Sequence, residues 1–331
     1  MKRVFSVLIV VAAFGFLFGS CSKDSGTGPN AELYPVTAKI LNPAGEPQGG
    51  AILKLAGKTD SDPTFATVTD DSGIGTIKAP AGNQTLIAKM GSIFQTQFTV
   101  NVQASQSGTQ AGTVTLQQNT ALKVLVVYGG CEELENVLSD PAIGFTKFDT
   151  TDVNYMRVRA ASDSNATLNY LKNYTLVFSD CNCGDEHSYP VLARTYGRYV
   201  SQGGKIYGGH YNYMNLQYIF SQNYKQETST SGDSVTVLDD TLSSYVGFKV
   251  AAWTASSNLN YYEQFLDPPS TSKVYVIITG TQPPTPVIIL NTLGSGKYLY
   301  TIYHNQDILA YSYGTVDPRL IKIVKYFLYS L

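Results

Sequence analysis

The first third of the chain alternates between apolar and polar residues with the period of a β-strand. Between Phe94 and Val102 the apolar side chains share one face, and Gln95, Gln97, Thr99 and Asn101 share the other. Turn sequences recur at 43–47, 70–73 and 80–83, which is the regular spacing of short strands in an all-β fold. We therefore predict an N-terminal all-β sandwich over residues 34–118.

The pattern changes after residue 120. Leu122–Tyr128 is almost continuously apolar and is followed by Gly129-Gly130 and a helix-prone stretch, which indicates a strand buried on both faces. Further strands are predicted at Tyr174–Ser179, Lys205–Gly208, Val274–Ile278, Val287–Leu290 and Tyr298–Tyr303, and helices at Pro190–Ser201 and from Pro318 onwards. Strands alternating with helices predict a C-terminal α/β domain with a mostly parallel sheet over residues 121–331, so the fold class is multidomain α+β.

The N-terminus has the layout of a secretory signal. Lys2 and Arg3 precede Val4–Phe18, which is apolar apart from Ser6 and Gly15. We predict a signal peptide over residues 1–20 and a flexible tether over 21–33, since the stretch after Cys21 is rich in small and polar residues.

The small pair Gly19-Ser20 before Cys21 resembles a bacterial lipobox, with Phe18 where leucine is usual. The resemblance implies that Cys21 is lipidated (palmitate among its acyl chains) and anchors the mature protein to a membrane. The alternative is an ordinary secretory signal with an incidental thiol. Ser22-Lys23-Asp24 resembles the tags of lipoproteins at the outer face of the outer membrane, so we expect an outer-membrane anchor facing the periplasm or the cell exterior.

Composition limits the partners. Charged residues make up 15% of the chain, the formal net charge is −2, and no Lys/Arg block is present, so no nucleic-acid partner is expected. The chain has 24 tyrosines and one tryptophan. We expect many of these tyrosines on surfaces, where a ring can stack on a ligand, although half-buried strands also favour tyrosine.

The N-terminal segments resemble the carboxypeptidase regulatory-like domain, a prealbumin-type sandwich. The matching stretches are Val36–Ile40, Gly45–Pro47, Gly50–Leu55, Thr69–Gly73 and Ala79–Leu86. The resemblance implies a spacer or interaction module. Asp70 and Asp71 are either calcium ligands or a plain turn before Gly73, and the turn is the commoner use of such a pair.

The later segments Lys123–Val127, Tyr199–Gly209 and Leu293–Asn305 resemble the class I glutamine amidotransferase-like superfamily, with its trehalose-utilisation-like and flavodoxin-like relatives. The resemblance implies a mostly parallel, flavodoxin-like sheet. The catalytic form needs a Cys nucleophile after the strand that follows Gly-Gly, and a His-x-Glu pair after a late strand. This chain has Gly208-Gly209-His210 at the first place and Gln306 instead of the Glu, so glutamine amidotransfer is not expected.

Polar residues cluster after the predicted strands of this domain. Loops after the carboxyl ends of strands form the binding crevice of open α/β sheets. The candidate ligand-binding residues in these loops are His187, His210, Tyr211, Tyr213, His304 and Asp307. Tyr207, Tyr211, Tyr213 and Tyr218 either stack on a sugar or peptide or pack the sheet edge.

A metal-dependent enzyme is the alternative use of these loops. The three histidines with Asp180, Asp185, Glu186 or a thiolate are acceptable zinc ligands, which would suit a hydrolase. The chain lacks HExxH and CxxC spacings, so the prediction is no metal and no other cofactor.

Three cysteines remain besides Cys21. Exported proteins meet an oxidising compartment, and Cys131 and either Cys181 or Cys183 follow strands that are neighbours if the sheet has the flavodoxin order. We predict a disulfide between Cys131 and one of the other two. The third thiol stays unpaired and leaves a reactive-thiol alternative open.

These patterns favour a membrane-anchored binding or cell-surface interaction protein. The expected ligand is an extracellular carbohydrate or peptide, and catalysis is not expected.

Overall fold

The computed structural model describes residues 32–130, 133–141, 143–180, 189–209, 212–220, 224–228, 234–252, 261–265, 272–278, 285–302 and 318–331. These ranges have mixed α and β content, with one large sheet and separate smaller sheets. Cys21 and the predicted signal and tether up to residue 31 lie outside the described residues. Within the described ranges, no helix is both long and apolar enough to cross a bilayer.

Seven strands form two sheets in the N-terminal part, here called the β region. The strands are β1 (Leu33–Leu41), β2 (Ile52–Leu55), β3 (Ala66–Val68), β4 (Ile74–Pro80), β5 (Gly82–Met90), β6 (Phe94–Val102) and β7 (Thr109–Thr115). One sheet has the order β4-β1-β7 and the other β3-β2-β5-β6. Only the pair β1 and β7 is parallel.

The alternation predicted for β6 is confirmed residue by residue. Phe94, Val100 and Val102 are buried, Phe98 is half-buried, and the intervening glutamines, Thr99 and Asn101 are exposed. Buried residues of both sheets, such as Val36 of β1 and Leu86 of β5, belong to one hydrophobic cluster. The core of the β region therefore consists of the apolar faces of its two sheets.

The rest of the chain, here called the α/β region, is organised around a large sheet. Its strands are β8 (Val124–Tyr128), β9 (Asp149–Asp152), β10 (Leu176–Ser179), β11 (Lys205–Gly208), β12 (Tyr224–Thr228), β13 (Ser234–Val237), β14 (Val250–Ala252), β15 (Tyr261–Phe265), β16 (Ser272–Ile278), β17 (Thr285–Leu293) and β18 (Gly296–Thr301). Its helices are α1 (Leu134–Ser139), α2 (Val153–Ser162), α3 (Ser164–Leu171), α4 (Pro190–Ser201), α5 (Tyr213–Phe220), α6 (Asp240–Val246) and α7 (Pro318–Ser330).

The large sheet has two halves. Within the described residues its order is β14-β13-β16-β17-β18-β11-β10-β8-β9. The strands β9, β8, β10, β11 and β18 pair in parallel, and β17, β16, β13 and β14 extend the sheet by antiparallel pairing. A parallel sheet was predicted and is present in the first half, whereas the sequence analysis did not anticipate the antiparallel extension.

Chain order in the parallel half is 2-1-3-4-5, which is the order of flavodoxin-like sheets. β8 and β10 are consequently neighbours, with Val127 opposite Ser179. The strand adjacency on which the disulfide prediction rests is present, but Cys131, Cys181 and Cys183 lie outside the described residues. The bridge itself stays a prediction.

The two regions meet at a joint built from Phe94, Gln118, Phe145, Tyr329 and Leu331. The Phe94 ring lies edge-on to Phe145 and to Tyr329, with ring centroids 4.9 Å apart in each case. The Gln118 side chain accepts from the amides of Thr146 and Lys147 at 2.7 and 2.9 Å and donates to the Lys147 carbonyl at 2.6 Å. The amide of Ser92 donates to the Leu331 carbonyl at 2.8 Å. Burial and hydrogen bonding together fix the relative position of the two regions.

Candidate functional site

The carboxyl ends of four consecutive parallel strands form the candidate site. β8, β10, β11 and β18 are adjacent in the sheet and run in the same direction, so their carboxyl ends meet at one edge. Their side chains are almost entirely buried, because helices cover both faces of such a sheet. We call this edge the strand-end rim and define it by Gly129-Gly130, Ser179-Asp180, Gly208-Gly209 and Ile302.

A buried amide ties two of these strand ends together. Asn212, which precedes α5, is 3% exposed, and its Nδ2 donates to the carbonyls of Ser179 and Asp180, at 2.9 Å each. Its Oδ1 accepts from Ser179 Oγ at 2.7 Å, from Asn215 Nδ2 at 2.8 Å and from Tyr298 Oη at 3.3 Å. We call these five residues the Asn212 network. Its bonds fix the turn after β11 against the end of β10.

Gly208, the last residue of β11, has no room for a side chain. A Cβ atom there would lie 2.8 Å from Tyr298 Oη and 3.0 Å from Asn212 Cβ. Contacts under 3 Å essentially do not occur for real Cβ atoms, so any larger residue would displace the network. The glycine is therefore required by the packing of Tyr298 and Asn212 around this strand end.

Two tyrosines beneath the rim are held in their protonated form. Tyr196 of α4 and Tyr298 of β18 are both almost completely buried, and burial raises the pKa of each hydroxyl well above its usual value near 10. The hydroxyl of Ser179 opposes this shift in the pKa of Tyr196, and the Asn215 side chain opposes it in that of Tyr298. Neither phenol can act as a base near neutral pH.

Asp180 is the charged residue that the sequence analysis placed at this edge and that the structure describes. It follows β10, is 3% exposed, and its amide donates to the carbonyl of Val127 at 3.0 Å. A carboxyl group thus lies beside the junction of β8 and β10.

Most of the predicted site residues lie outside the described part of the chain. These are Cys131, Cys181, Cys183, His187, His210, Tyr211, His304 and Asp307, and for Tyr213 the structure describes the backbone, as the first residue of α5. The segments that carry them begin at the ends of β8, β10, β11 and β18, which is one edge of the sheet. The structure therefore places the starting points of these segments together, and the roles of the residues stay predictions.

The zinc alternative and the tyrosine cluster have different outcomes. Among the described residues no group of three or more His, Cys, Asp or Glu side chains could hold a metal ion, and the three histidines are not among those residues. Tyr207 is completely buried and packs against Phe178, with ring centroids 5.5 Å apart. For Tyr207 the packing interpretation is therefore correct and the ligand-stacking one is wrong.

The Asn212 network was not predicted from the sequence. Its partners lie 33 and 86 positions apart in the chain, and a single asparagine three residues after Gly209 carries no periodic signal. The plain-turn interpretation of Asp70 is confirmed, because its Oδ1 accepts from the amides of Ser72 and Ile74 at 2.9 Å each.

Solved structures similar to this chain include three of related description. A GMP synthase subunit of Thermoplasma acidophilum is 12% identical with a TM-score of 0.43, and 62% of this chain covers 92% of that one. For a ThuA-like protein of Bacteroides uniformis the values are 11%, 0.40, 62% and 89%. For a glutamine amidotransferase of Thermotoga maritima they are 14%, 0.38, 62% and 94%. No protein-family model and no curated protein matches the chain.

Proposed function

We propose that this chain is an exported lipoprotein, anchored to the outer membrane through lipid on Cys21, whose α/β region binds a small ligand without catalysis. The basic start, the apolar run and the small residues before Cys21 support the anchor. The β region serves as a carboxypeptidase regulatory-like spacer of prealbumin type, for which its two sheets with one buried face each are suited. The ligand is a sugar or a peptide.

The observation that carries the binding function is the reversal of strand order between β8 and β10. From β8 the chain crosses to β9 on one side, and from β9 it returns past β8 to β10 on the other. Loops on either side of such a switch point separate and leave a crevice, which is where open α/β sheets bind their ligands. Gly129-Gly130 follows one of the two strands, and the nearly buried Asp180 follows the other.

Two features of the rim support the absence of catalysis. The end of β11, where the related catalytic scaffold carries its nucleophile, is closed by the packing of Tyr298 and Asn212 around Gly208. The buried tyrosines beneath it are protonated and can donate hydrogen bonds but cannot accept a proton. A binding crevice needs only shape and a few fixed polar groups, and the Asn212 network supplies the fixed frame.

The test combines activity and binding on the purified protein. We expect no turnover of glutamine or of an ester, amide and glycoside panel, and saturable binding of at least one oligosaccharide or short peptide by calorimetry. His210→Ala and His304→Ala should weaken that binding, while Asn154→Ala, on the exposed face of α2, should leave it unchanged. Stoichiometric zinc by elemental analysis, with hydrolysis that a chelator abolishes, would establish the hydrolase instead.

The anchor is tested separately. Mass spectrometry of the membrane fraction should find Cys21 as an acylated first residue, and Cys21→Ser should release the protein from membranes. A mature chain in which unmodified Cys21 is still joined to Ser20 would contradict the anchor without touching the binding function.

A further inference from the structure

A second concave surface lies where the β region meets the α/β region. It is a groove of about 490 Å³, within the range of about 300–1,000 Å³ that small-molecule sites occupy. It is lined by Gly50, Val68, Thr69, Asp70, Asp71, Asp240, Thr241, Ser244, Tyr245 and Tyr326. None of these residues belongs to the strand-end rim, and both regions contribute to the lining. We call it the joint groove.

One wall of the groove is fixed by side-chain hydrogen bonds within the β region. Thr69 Oγ1 donates to the Gln48 carbonyl at 2.6 Å and accepts from the Ala51 amide at 3.0 Å, which ties the end of β3 to the 48–51 segment. The Asp70 side chain closes the following turn through its bonds to Ser72 and Ile74. The wall is therefore formed without any ligand.

The opposite wall is the first turn of α6. Asp239 caps this helix, because its Oδ1 accepts from the Leu242 amide at 2.7 Å, and Lys273 Nζ lies 2.5 Å from its other oxygen. This cap holds the exposed side chains of Asp240, Thr241 and Ser244 at the groove.

The floor depends on two glycines that let aromatic rings approach the backbone. A Cβ on Gly49 would lie 2.6 Å from Tyr245 Cδ2, and one on Gly50 would lie 3.2 Å from Tyr326 Cε2. The Tyr245 ring is 4% exposed, with Lys322 Nζ 4.3 Å from its centroid, so it serves as a packed base. Tyr326 is only half-buried and can offer part of its ring to a ligand.

The two regions are locked around this floor. Lys325 Nζ lies 3.1 Å from Glu46 Oε2, and Lys322 Nζ donates to the Tyr245 carbonyl. The aromatic contacts of Phe94 add to this lock. The groove is thus preorganised, which reduces the entropic cost of ordering the protein when a ligand binds.

The chemistry of the lining selects a ligand that donates hydrogen bonds. Its charged side chains are all aspartates, which accept hydrogen bonds and repel anions, and Lys249 lies 2.6 Å from Asp240 and offsets part of this charge. Thr241 and Ser244 add hydroxyls, and Val68 and Tyr326 add apolar surface. Aromatic and apolar surface beside acceptors matches the two faces of a sugar ring, whose C–H groups pack while its hydroxyls donate.

We propose that the joint groove is a binding site for a small neutral carbohydrate, a mono- or disaccharide, whose hydroxyls donate to the aspartates while one face of the ring packs on Tyr326. This site is additional to the ligand crevice at the strand-end rim and does not depend on it. It gives the β region a direct part in recognition, beyond that of a spacer.

The experiment is a calorimetric titration of the purified protein with glucose, galactose, N-acetylglucosamine and their common disaccharides. Ser244→Trp fills the groove from an exposed helix position and should weaken the binding by at least about tenfold. Asp71→Asn, also at an exposed position, should weaken it as well by converting an acceptor oxygen into a donor. Ser162→Trp, the same change at an exposed serine of α2, is the matched control and should bind as the unchanged protein does.

Three results would overturn the proposal. They are absence of saturable binding across the sugar panel, sugar binding that survives Ser244→Trp, and binding of the diamine putrescine in place of every sugar. Sugar binding that is lost in His210→Ala but kept in Ser244→Trp would locate the sugar at the strand-end rim instead. The groove and the rim are therefore tested by separate variants.

Discussion

The joint between the two regions and the strand-end rim are both buried and rich in aromatic residues, but they hold together by different forces. At the joint, Phe94, Phe145 and Tyr329 meet edge to face, with few polar atoms between the rings. At the rim, the tyrosine Tyr298 is joined to Asn212 and Ser179 by hydrogen bonds. The joint is suited to permanent attachment, and the rim is suited to positioning polar groups.

The difference explains where each region tolerates change. An apolar joint gains its stability from area and ring contact, so the loss of one ring leaves a cavity. A polar network gains its stability from mutual satisfaction, so the loss of one member leaves several groups without partners. Substitutions at the two places should therefore differ in size and in what else they disturb.

The largest effect is expected at the joint, for Phe94→Ala. Removing a fully buried ring that touches Phe145 and Tyr329 should lower the free energy of unfolding by about 3–5 kcal/mol. Because the ring lies between the two regions, scanning calorimetry should also resolve two transitions where the unchanged protein has one. Phe98→Ala, in the same strand but half-buried, is the control. An equal loss for both variants would show that the ring contacts at the joint contribute nothing special.

The strongly patterned elements of both regions were predictable from sequence. β6, β11 and α4 have the bounds that were predicted, because each combines a clear period with a turn or a proline at its end. β9, α2 and α3 were missed. β9 consists of four polar residues, and α2 buries Val153, Met156 and Ala160 but exposes Tyr155 and Val158, which hides its apolar stripe.

The use of tyrosine and the two sites were less predictable. Many tyrosines were expected on surfaces, yet nine are buried among the described residues: Tyr34, Tyr174, Tyr196, Tyr199, Tyr207, Tyr245, Tyr298, Tyr300 and Tyr329. A tyrosine in a strand can be buried when its hydroxyl finds a partner, and the sequence does not show that partner. The Asn212 network and the joint groove likewise depend on residues far apart in the chain, so no local pattern indicates them.

A smaller loss is expected at the rim, for Asn212→Leu. The substitution removes the acceptor for Ser179 and Asn215 and the donor to two carbonyls, which should cost about 2–3 kcal/mol in unfolding free energy. The control is Asn215→Ala, a half-buried neighbour that gives one of these bonds and should cost about 1 kcal/mol or less. Chemical denaturation of both variants measures the difference. If Asn212→Leu were neutral, the network would not be what fixes the rim.

The smallest effect is expected for a polar group beside the joint, Asp239, because α6 is short and the rest of its stability comes from packing. Loss of this helix cap in Asp239→Ala should cost about 1 kcal/mol, whereas Asp240→Ala, whose pair with Lys249 is exposed, should cost close to nothing.

The pH dependence of that difference identifies its source. Burial raises the pKa of Asp239, but the bonds from Lys273 and from the Leu242 amide lower it by more, so the pKa in the folded protein lies below its usual value. The carboxylate therefore stabilises the fold above the unfolded pKa of about 3.9, and this contribution disappears as the pH falls through the folded pKa. Denaturation at a series of pH values should show the unchanged protein and Asp239→Ala converging in acid. A stability difference that stays constant to the lowest pH at which both remain folded would mean that the ionised carboxylate does not hold this end of α6.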